Sequence, residues 1–238
     1  MTLITLAHGS RHPAAARAIE DLTAAAGALL GVPARTAYLE LATPDLPTAA
    51  WEVPRAVVVP LLFTRAYHAR HDVPVAARAA RESGASLSVA EPLGLGPEVE
   101  EALGRVVASD AEPGAHLVLY AVGSSRPGAN AEVAALGARV ARRAGRTHSV
   151  VFATGKGSRV GVAGLDEAAR RHRRLHLVPL FVAPGLLLDT ALDALPTIAA
   201  RRGAAVGASA PLGARLAPLV AGRYRAALAG HHQEKRAA

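Results

Sequence analysis

Two stretches decide the fold: LITLAHGS at residues 3–10 and LVLYAVGS at residues 117–124. Each begins with five apolar or small residues and runs into Gly-Ser, the pattern of a short buried strand followed by a tight turn. They are related by a shift of 114 residues, and the register persists beyond them. Pro13 falls on Pro127, the stripe Ile19, Leu22, Ala26 falls on Val133, Leu136, Val140, and Gly31 falls on Gly145. Farther along, the shift becomes 119: Val59-Pro60-Leu61 matches Val178-Pro179-Leu180, and Pro92-Leu93-Gly94 matches Pro211-Leu212-Gly213. Strand, turn, helix stripe and terminating glycine recurring together mark an internal duplication with five residues inserted in the second copy.

Within the first copy, strand and helix signals alternate. Leu3–Ala7 reads as a strand and Pro13–Leu30 as a helix with Pro near its start and Gly31 at its end. Ala34–Glu40 is the second strand, and a short helix near Thr43–Trp51 leads to the aliphatic strand Ala56–Phe63. Asp72 is expected to cap a helix that ends at Ser83-Gly84; Ser86–Ala90 and Pro97–Ser109 supply a last strand and helix. The expected fold is α/β: two similar βαβ domains with four-stranded parallel sheets flanked by helices in a flavodoxin-like order, related by duplication. The domain limits that follow are 1–109 and 115–230, with residues 109–114 as linker and 231–238 as a frayed tail.

The composition narrows the chemistry. The 238 residues contain no Cys, which excludes disulfides, thiolate nucleophiles and iron–sulfur clusters, so any metal must be held by His, carboxylate or water. Aromatic residues make up 3%, too few for stacking platforms on single-stranded nucleic acid. No apolar run reaches the roughly 18 residues of a membrane span, so neither membrane nor nucleic acid is an expected partner, and the cytoplasm is the expected location. With 27 Lys and Arg against 19 Asp and Glu, the formal charge is +8, mostly dispersed Arg. That surplus favours a polyanionic partner, including a small molecule that carries several carboxylates.

In a parallel sheet, ligands bind beyond the carboxyl ends of the strands. His8 follows the first strand, Glu40 ends the second, and His68 lies in the loop after the third, so all three belong to one sheet edge. Two imidazoles and a carboxylate suit a divalent first-row metal and can accept protons near neutral pH. The duplication provides an internal control. In the second copy the three positions are Val122, Thr154 and Leu187, or Leu186 with a one-residue gap. The scaffold is repeated without its metal-capable side chains, so one site is expected and the fold does not depend on those groups.

At AHGSRHP (residues 7–13) and VVPLLFTRAYHARHDVP (residues 58–74), the chain resembles the class II tetrapyrrole chelatases, specifically sirohydrochlorin chelatases of the CbiX and SirB type. VPLFVAPGLLLD (residues 178–189) resembles the degenerate copy found in two-domain members. The resemblance implies insertion of Co²⁺ or Fe²⁺ into sirohydrochlorin without ATP, on the path to cobalamin or sirohaem, with the metal as substrate and no organic cofactor. By motif, His8 and His68 are the catalytic and metal-binding pair, and Glu40 matches an acidic position. Gly9, Ser10, Arg11, Arg65 and Arg70 flank these motifs and are candidates for binding the carboxylates of the tetrapyrrole. His12 departs from the Asp that many members carry there. Two fused domains favour a monomer.

Two other classes are weighed. A non-catalytic tetrapyrrole or metal carrier would use the same residues and differs only in turnover. A phosphoryl-transfer enzyme with a histidine nucleophile expects Arg-His-Gly, whereas the order here is His8-Gly9-Ser10-Arg11-His12. Gly155-Lys156-Gly157-Ser158 lacks the spacing of a nucleotide phosphate loop.

Overall fold

In the computed structural model, which describes residues 1–51, 53–64, 71–155, 157 and 160–237, the chain packs as two units. One comprises Met1–Gly94 with Gly213–Ala238, the other Leu95–Leu212. The first unit holds a parallel sheet formed by β1 (Thr2–Ala7), β2 (Ala34–Tyr38), β3 (Ala56–Pro60) and β4 (Leu87–Val89), in the order β2-β1-β3-β4. Leu3 pairs with Ala34 on one side and Val57 on the other, and Ala56 pairs with Leu87. β1 and β3 are buried along their whole length, which explains their largely apolar sequences: central parallel strands are covered on both faces.

Helix α1 (Ala15–Leu30) buries Ala15, Ile19, Leu22 and Ala26, spaced to form one face. It ends where Gly31 turns left-handed at φ 64°; the Gly31 N–H donates to Ala28 O and the Val32 N–H to Gly27 O. α2 (Leu46–Ala50) starts at Asp45, whose carboxylate accepts the Thr48 N–H at 2.9 Å. α3 (Asp72–Glu82) is capped at His71, so Asp72 is its first helical residue and not the cap expected of it. There its charge still complements the positive helix end. Val73, Ala77 and Ala80 of α3 join Ile4, Leu6, Val58 and Leu46 in one core cluster.

The second unit repeats the plan with β5 (His116–Ala121), β6 (His148–Phe152), β7 (Arg174–Pro179) and β8 (Ala205–Ala208) in the order β6-β5-β7-β8. Its helices are α4 (Pro97–Asp110), α5 (Pro127–Arg143), α6 (Gly161–Arg171) and α7 (Leu186–Arg202). The expected fold class, two four-stranded parallel sheets flanked by helices, is the one observed.

The expected domain limits are not those of the packed units. α4 follows β4 in sequence, yet it packs on α5 and β7 of the second unit. There the Arg139 guanidinium donates to Glu100 Oε2 at 2.8 Å and to Leu95 O at 2.7 Å. Conversely, α8 (Ala217–Ala237), with the 3₁₀ turn Gly213–Leu216 before it, packs on α1 and β3 of the first unit. Arg223 donates to Pro92 O and Leu93 O, the Tyr224 hydroxyl donates to Met1 O at 2.8 Å, and Arg225 donates to Leu29 O. The last helix of each sequence repeat therefore completes the other repeat's sheet. The expected linker begins inside α4, which runs to Asp110. α8 continues to Ala237, into the segment expected as a tail. No Pro or Gly follows Gly230, so nothing in the sequence stops the helix from propagating.

Candidate functional site

The carboxyl edge of the first sheet brings His8 and Glu40 together through the backbone. Beyond the last paired residues of β1 and β2, the ladder continues: the Leu39 N–H donates to Ala7 O at 2.9 Å and the Glu40 N–H to His8 O at 3.0 Å. Consecutive bonds of this kind hold the two residues side by side on adjacent strand ends, and His8 Nε2 lies 3.8 Å from Glu40 Oε1. Both side chains remain open to solvent, 36% and 52% exposed, so the pair is accessible to a ligand.

The approach requires Gly9. Its φ is +98°, and a Cβ placed there would stand 1.7 Å from the Glu40 carbonyl oxygen. Any side chain at residue 9 would push β1 and β2 apart where the imidazole and carboxylate meet. After Gly9, Ser10 Oγ accepts the His12 N–H at 3.1 Å and His12 Nδ1 accepts the Ala14 N–H at 3.1 Å, so the turn into α1 is closed by side chains. At residue 12 an imidazole nitrogen thus serves as the acceptor for the turn. Arg11 is exposed on this turn. Leu41, next to Glu40, holds φ +61°, a left-handed conformation uncommon for a residue with a Cβ. No sequence signal identifies Leu41, whose side chain is exposed.

The third strand leaves the sheet at the same edge, where the Leu61 N–H donates to Leu6 O at 2.8 Å. His68, Arg65 and Arg70, expected in the following loop, lie outside the described residues. Among the described residues, no group of three or more His, Asp or Glu side chains is arranged to hold a metal ion.

The second unit reproduces the backbone of this edge without its chemistry. The Ala153 N–H donates to Ala121 O at 2.7 Å and the Thr154 N–H to Val122 O at 2.9 Å, as Leu39 and Glu40 do in the first unit. Leu180 N–H bonds Tyr120 O as Leu61 N–H bonds Leu6 O, and Ser124 Oγ accepts the Arg126 N–H as Ser10 accepts that of His12. Gly123 has φ +91°, again beside the facing carbonyl, that of Thr154. The spare hydrogen-bonding capacity of Thr154 is turned inward, its hydroxyl donating to Val122 O at 2.8 Å. The edge geometry is therefore a property of the fold, and His8 and Glu40 are additions to it.

Solved structures of chelatases share this fold. SirB from Bacillus subtilis with Fe³⁺ superposes with a TM-score of 0.76 at 22% identity, over 98% of this chain and 97% of that one. SirB from Bacillus subtilis subspecies spizizenii in complex with cobalt gives 0.74 at 23% identity, over 94% and 93%. CbiX, described as the terminal enzyme for siroheme biosynthesis in denitrifying bacteria, gives 0.70 at 22% identity, over 95% and 99%. No curated protein matches this sequence. The CbiX family model matches residues 2–110, a little under half of the chain. That segment contains every site residue expected from the sequence, whereas the second copy lies outside it. No helix among the described residues is long and apolar enough to cross a membrane.

Proposed function

We propose that this protein inserts a divalent metal, Co²⁺ or Fe²⁺, into sirohydrochlorin without ATP, acting in the cytoplasm as a single chain. The observation that carries this reading is the His8–Glu40 pair, 3.8 Å apart beside Gly9, where a Cβ would stand 1.7 Å from the Glu40 carbonyl oxygen. With metal–ligand bonds of about 2.1 Å, an imidazole nitrogen and a carboxylate oxygen at this spacing can share one ion. The second unit keeps the same backbone without either group, which argues for a chemical and not a structural role. The match of residues 2–110 to the CbiX family model and the iron and cobalt held by the SirB structures support the choice of substrate.

The reaction makes three demands. Water must be stripped from the ion, and here Glu40 supplies negative charge that offsets the cost of desolvating a dication. Two pyrrole N–H protons must leave as the metal–nitrogen bonds form; His8 Nε2 accepts one and His68 the other. The macrocycle must be held by its peripheral carboxylates. For this, Arg11, Arg65 and Arg70 provide guanidinium donors, and Gly9 and Ser10 provide the turn ahead of α1.

An anaerobic absorbance assay with sirohydrochlorin and Co²⁺, Fe²⁺ or Ni²⁺ tests the reading. His8→Ala and His68→Ala each remove most of the metallation rate while far-UV circular dichroism and Tm stay near those of the parent; Glu40→Gln is milder. Parental rates in both histidine variants would refute the assignment. Binding of sirohydrochlorin without any acceleration of metallation would make the protein a carrier.

A further inference from the structure

The open side of the first sheet carries a groove that metal insertion does not use. β4 is the last strand in the order β2-β1-β3-β4, and among the described residues no strand pairs with it on the side away from β3. The Ser86 carbonyl accepts the Ala56 N–H, and the Ala90 N–H donates to Val58 O. Residues 86, 88 and 90 therefore face β3, and by the alternation of a strand the main chain of Leu87 and Val89 faces outward. One of these outward groups is taken, because Arg81 Nη2 donates to Leu87 O at 3.3 Å. The edge left for pairing is short and centred on Val89.

α3 stands over this edge. Between them lies a groove of about 630 Å³, whose lining includes Val73, Ala77, Arg78 and Arg81 of α3 and Val89 and Glu91 at the end of β4. Val73 and Ala77 are buried and Val89 is 36% exposed, which gives the groove an apolar floor. Arg78 and Arg81, three residues apart on one helix face, are exposed. From Val73 to Arg81 the helix rises about 12 Å, the length of about four residues of extended chain. Arg81 marks the end where β4 begins and Glu91 the end where it leaves, so the cationic and anionic ends are distinct. At the repeat offset of 119, the second unit has Thr197, Ala200, Ala208 and Ala210 in place of Arg78, Arg81, Val89 and Glu91. The fold therefore does not require these four side chains.

We propose that this groove binds an extended peptide segment of a partner protein, about four residues long and acidic at its carboxyl terminus, which adds a fifth strand to the sheet. Its main chain pairs with Val89, its alternate side chains rest on Val73, Ala77 and Val89, and its carboxylates meet Arg78 and Arg81. Because the arginines lie toward the start of β4, the segment ends there and runs antiparallel to the strand. Outward main-chain groups beside an apolar floor favour a peptide over a small anion, which would need the guanidinium groups alone.

The test uses the full chain and a fluorescein-labelled peptide of alternating valine and glutamate with a free carboxyl terminus, followed by fluorescence anisotropy. The parent binds it. Arg78→Glu weakens binding by about tenfold or more, and so does exchanging the peptide's glutamates for lysines. Val89→Pro removes one outward N–H, leaves the ladder to β3 intact and weakens binding by about tenfold. Exchange of the Val89 amide hydrogen slows when the peptide is added to the parent. Far-UV circular dichroism and the metallation rate stay parental in both variants. A peptide that does not bind, or that binds the parent and both variants equally, overturns the proposal. So does displacement of the peptide by an equal concentration of free glutarate, which would make the groove an anion site. A parent that sediments as a dimer and becomes a monomer in Val89→Pro would make the edge a contact between copies and overturn it as well. Failure of the metallation assay leaves this series intact, since the groove shares no residue with the His8–Glu40 pair.

Discussion

Acid should loosen the second unit through one buried histidine. His116, at the start of β5, is 5% exposed; its Nδ1 is 2.8 Å from Thr147 Oγ1 and its Nε2 3.1 Å from Ser149 Oγ. Its ring stacks on that of His172 with centroids 3.6 Å apart, and His148 is a further nearby imidazole. Burial, and then the repulsion from His172 and His148, pushes its pKa from 6.5 down to about 4. A histidine held below its unfolded value keeps the native state favoured above pH 6.5, and that advantage is lost as pH falls, because the unfolded chain takes up a proton the folded ring refuses. At about 1.4 kcal/mol for each pH unit between 6.5 and 4, the loss approaches roughly 3 kcal/mol, a large fraction of a domain's stability. His116→Gln removes the titration and retains hydrogen bonding to a hydroxyl. Urea denaturation from pH 7.5 to 4.5, with hydrogen exchange read at the β5 amides, should show the parent losing up to about 1.4 kcal/mol per pH unit more than the variant below pH 6.5. His176, also held below its usual value by burial, titrates in both proteins and cancels in the difference. Parallel stability curves for the two proteins, or a His116 ring that titrates near 6.5, would refute the reasoning.

Gly9→Ala forces a Cβ to 1.7 Å from the Glu40 carbonyl, whereas at Gly31 an added Cβ meets nothing within 4 Å and only the left-handed φ is strained. Gly31→Ala should therefore cost about 1 kcal/mol and leave metallation intact, while Gly9→Ala costs roughly 2 kcal/mol or more and lowers metallation with it; Tm and the absorbance assay separate them. Arg223→Ala leaves the Pro92 and Leu93 carbonyls without their guanidinium donor, costs about 1–3 kcal/mol and makes α8 the first site of limited proteolysis. The arginine partners Arg170 and Arg171 hold Glu167 down to about 2, and Arg202 and Arg201 hold Asp166 below its ordinary value. Their stabilising contribution is present above the usual carboxylate pKa and is lost as pH falls below it, so Asp166→Asn should lower stability at neutral pH and approach the parent in acid, as urea denaturation at pH 7 and pH 3 would show.

Much of this molecule was legible in its sequence because local rules were enough. Largely apolar runs at Leu3–Ala7 and Ala56–Pro60 mean central parallel strands, glycine at 31 ends a helix, and one repeated offset sets two sheets of the same order. The same order places His8 and Glu40 at one edge, since parallel strands share a carboxyl end. Two kinds of fact required tertiary structure. The closeness of His8 to Glu40 depends on how tightly two strand ends approach, and so on the volume that Gly9 leaves empty against a carbonyl 31 residues away. The ownership of α4 and α8 depends on which apolar faces they cover. A repeat in the chain records covalent order, whereas a packed unit is set by buried surface and by the carbonyls that Arg139 and Arg223 satisfy, and the connections 91–96 and 209–216 allow the two to differ.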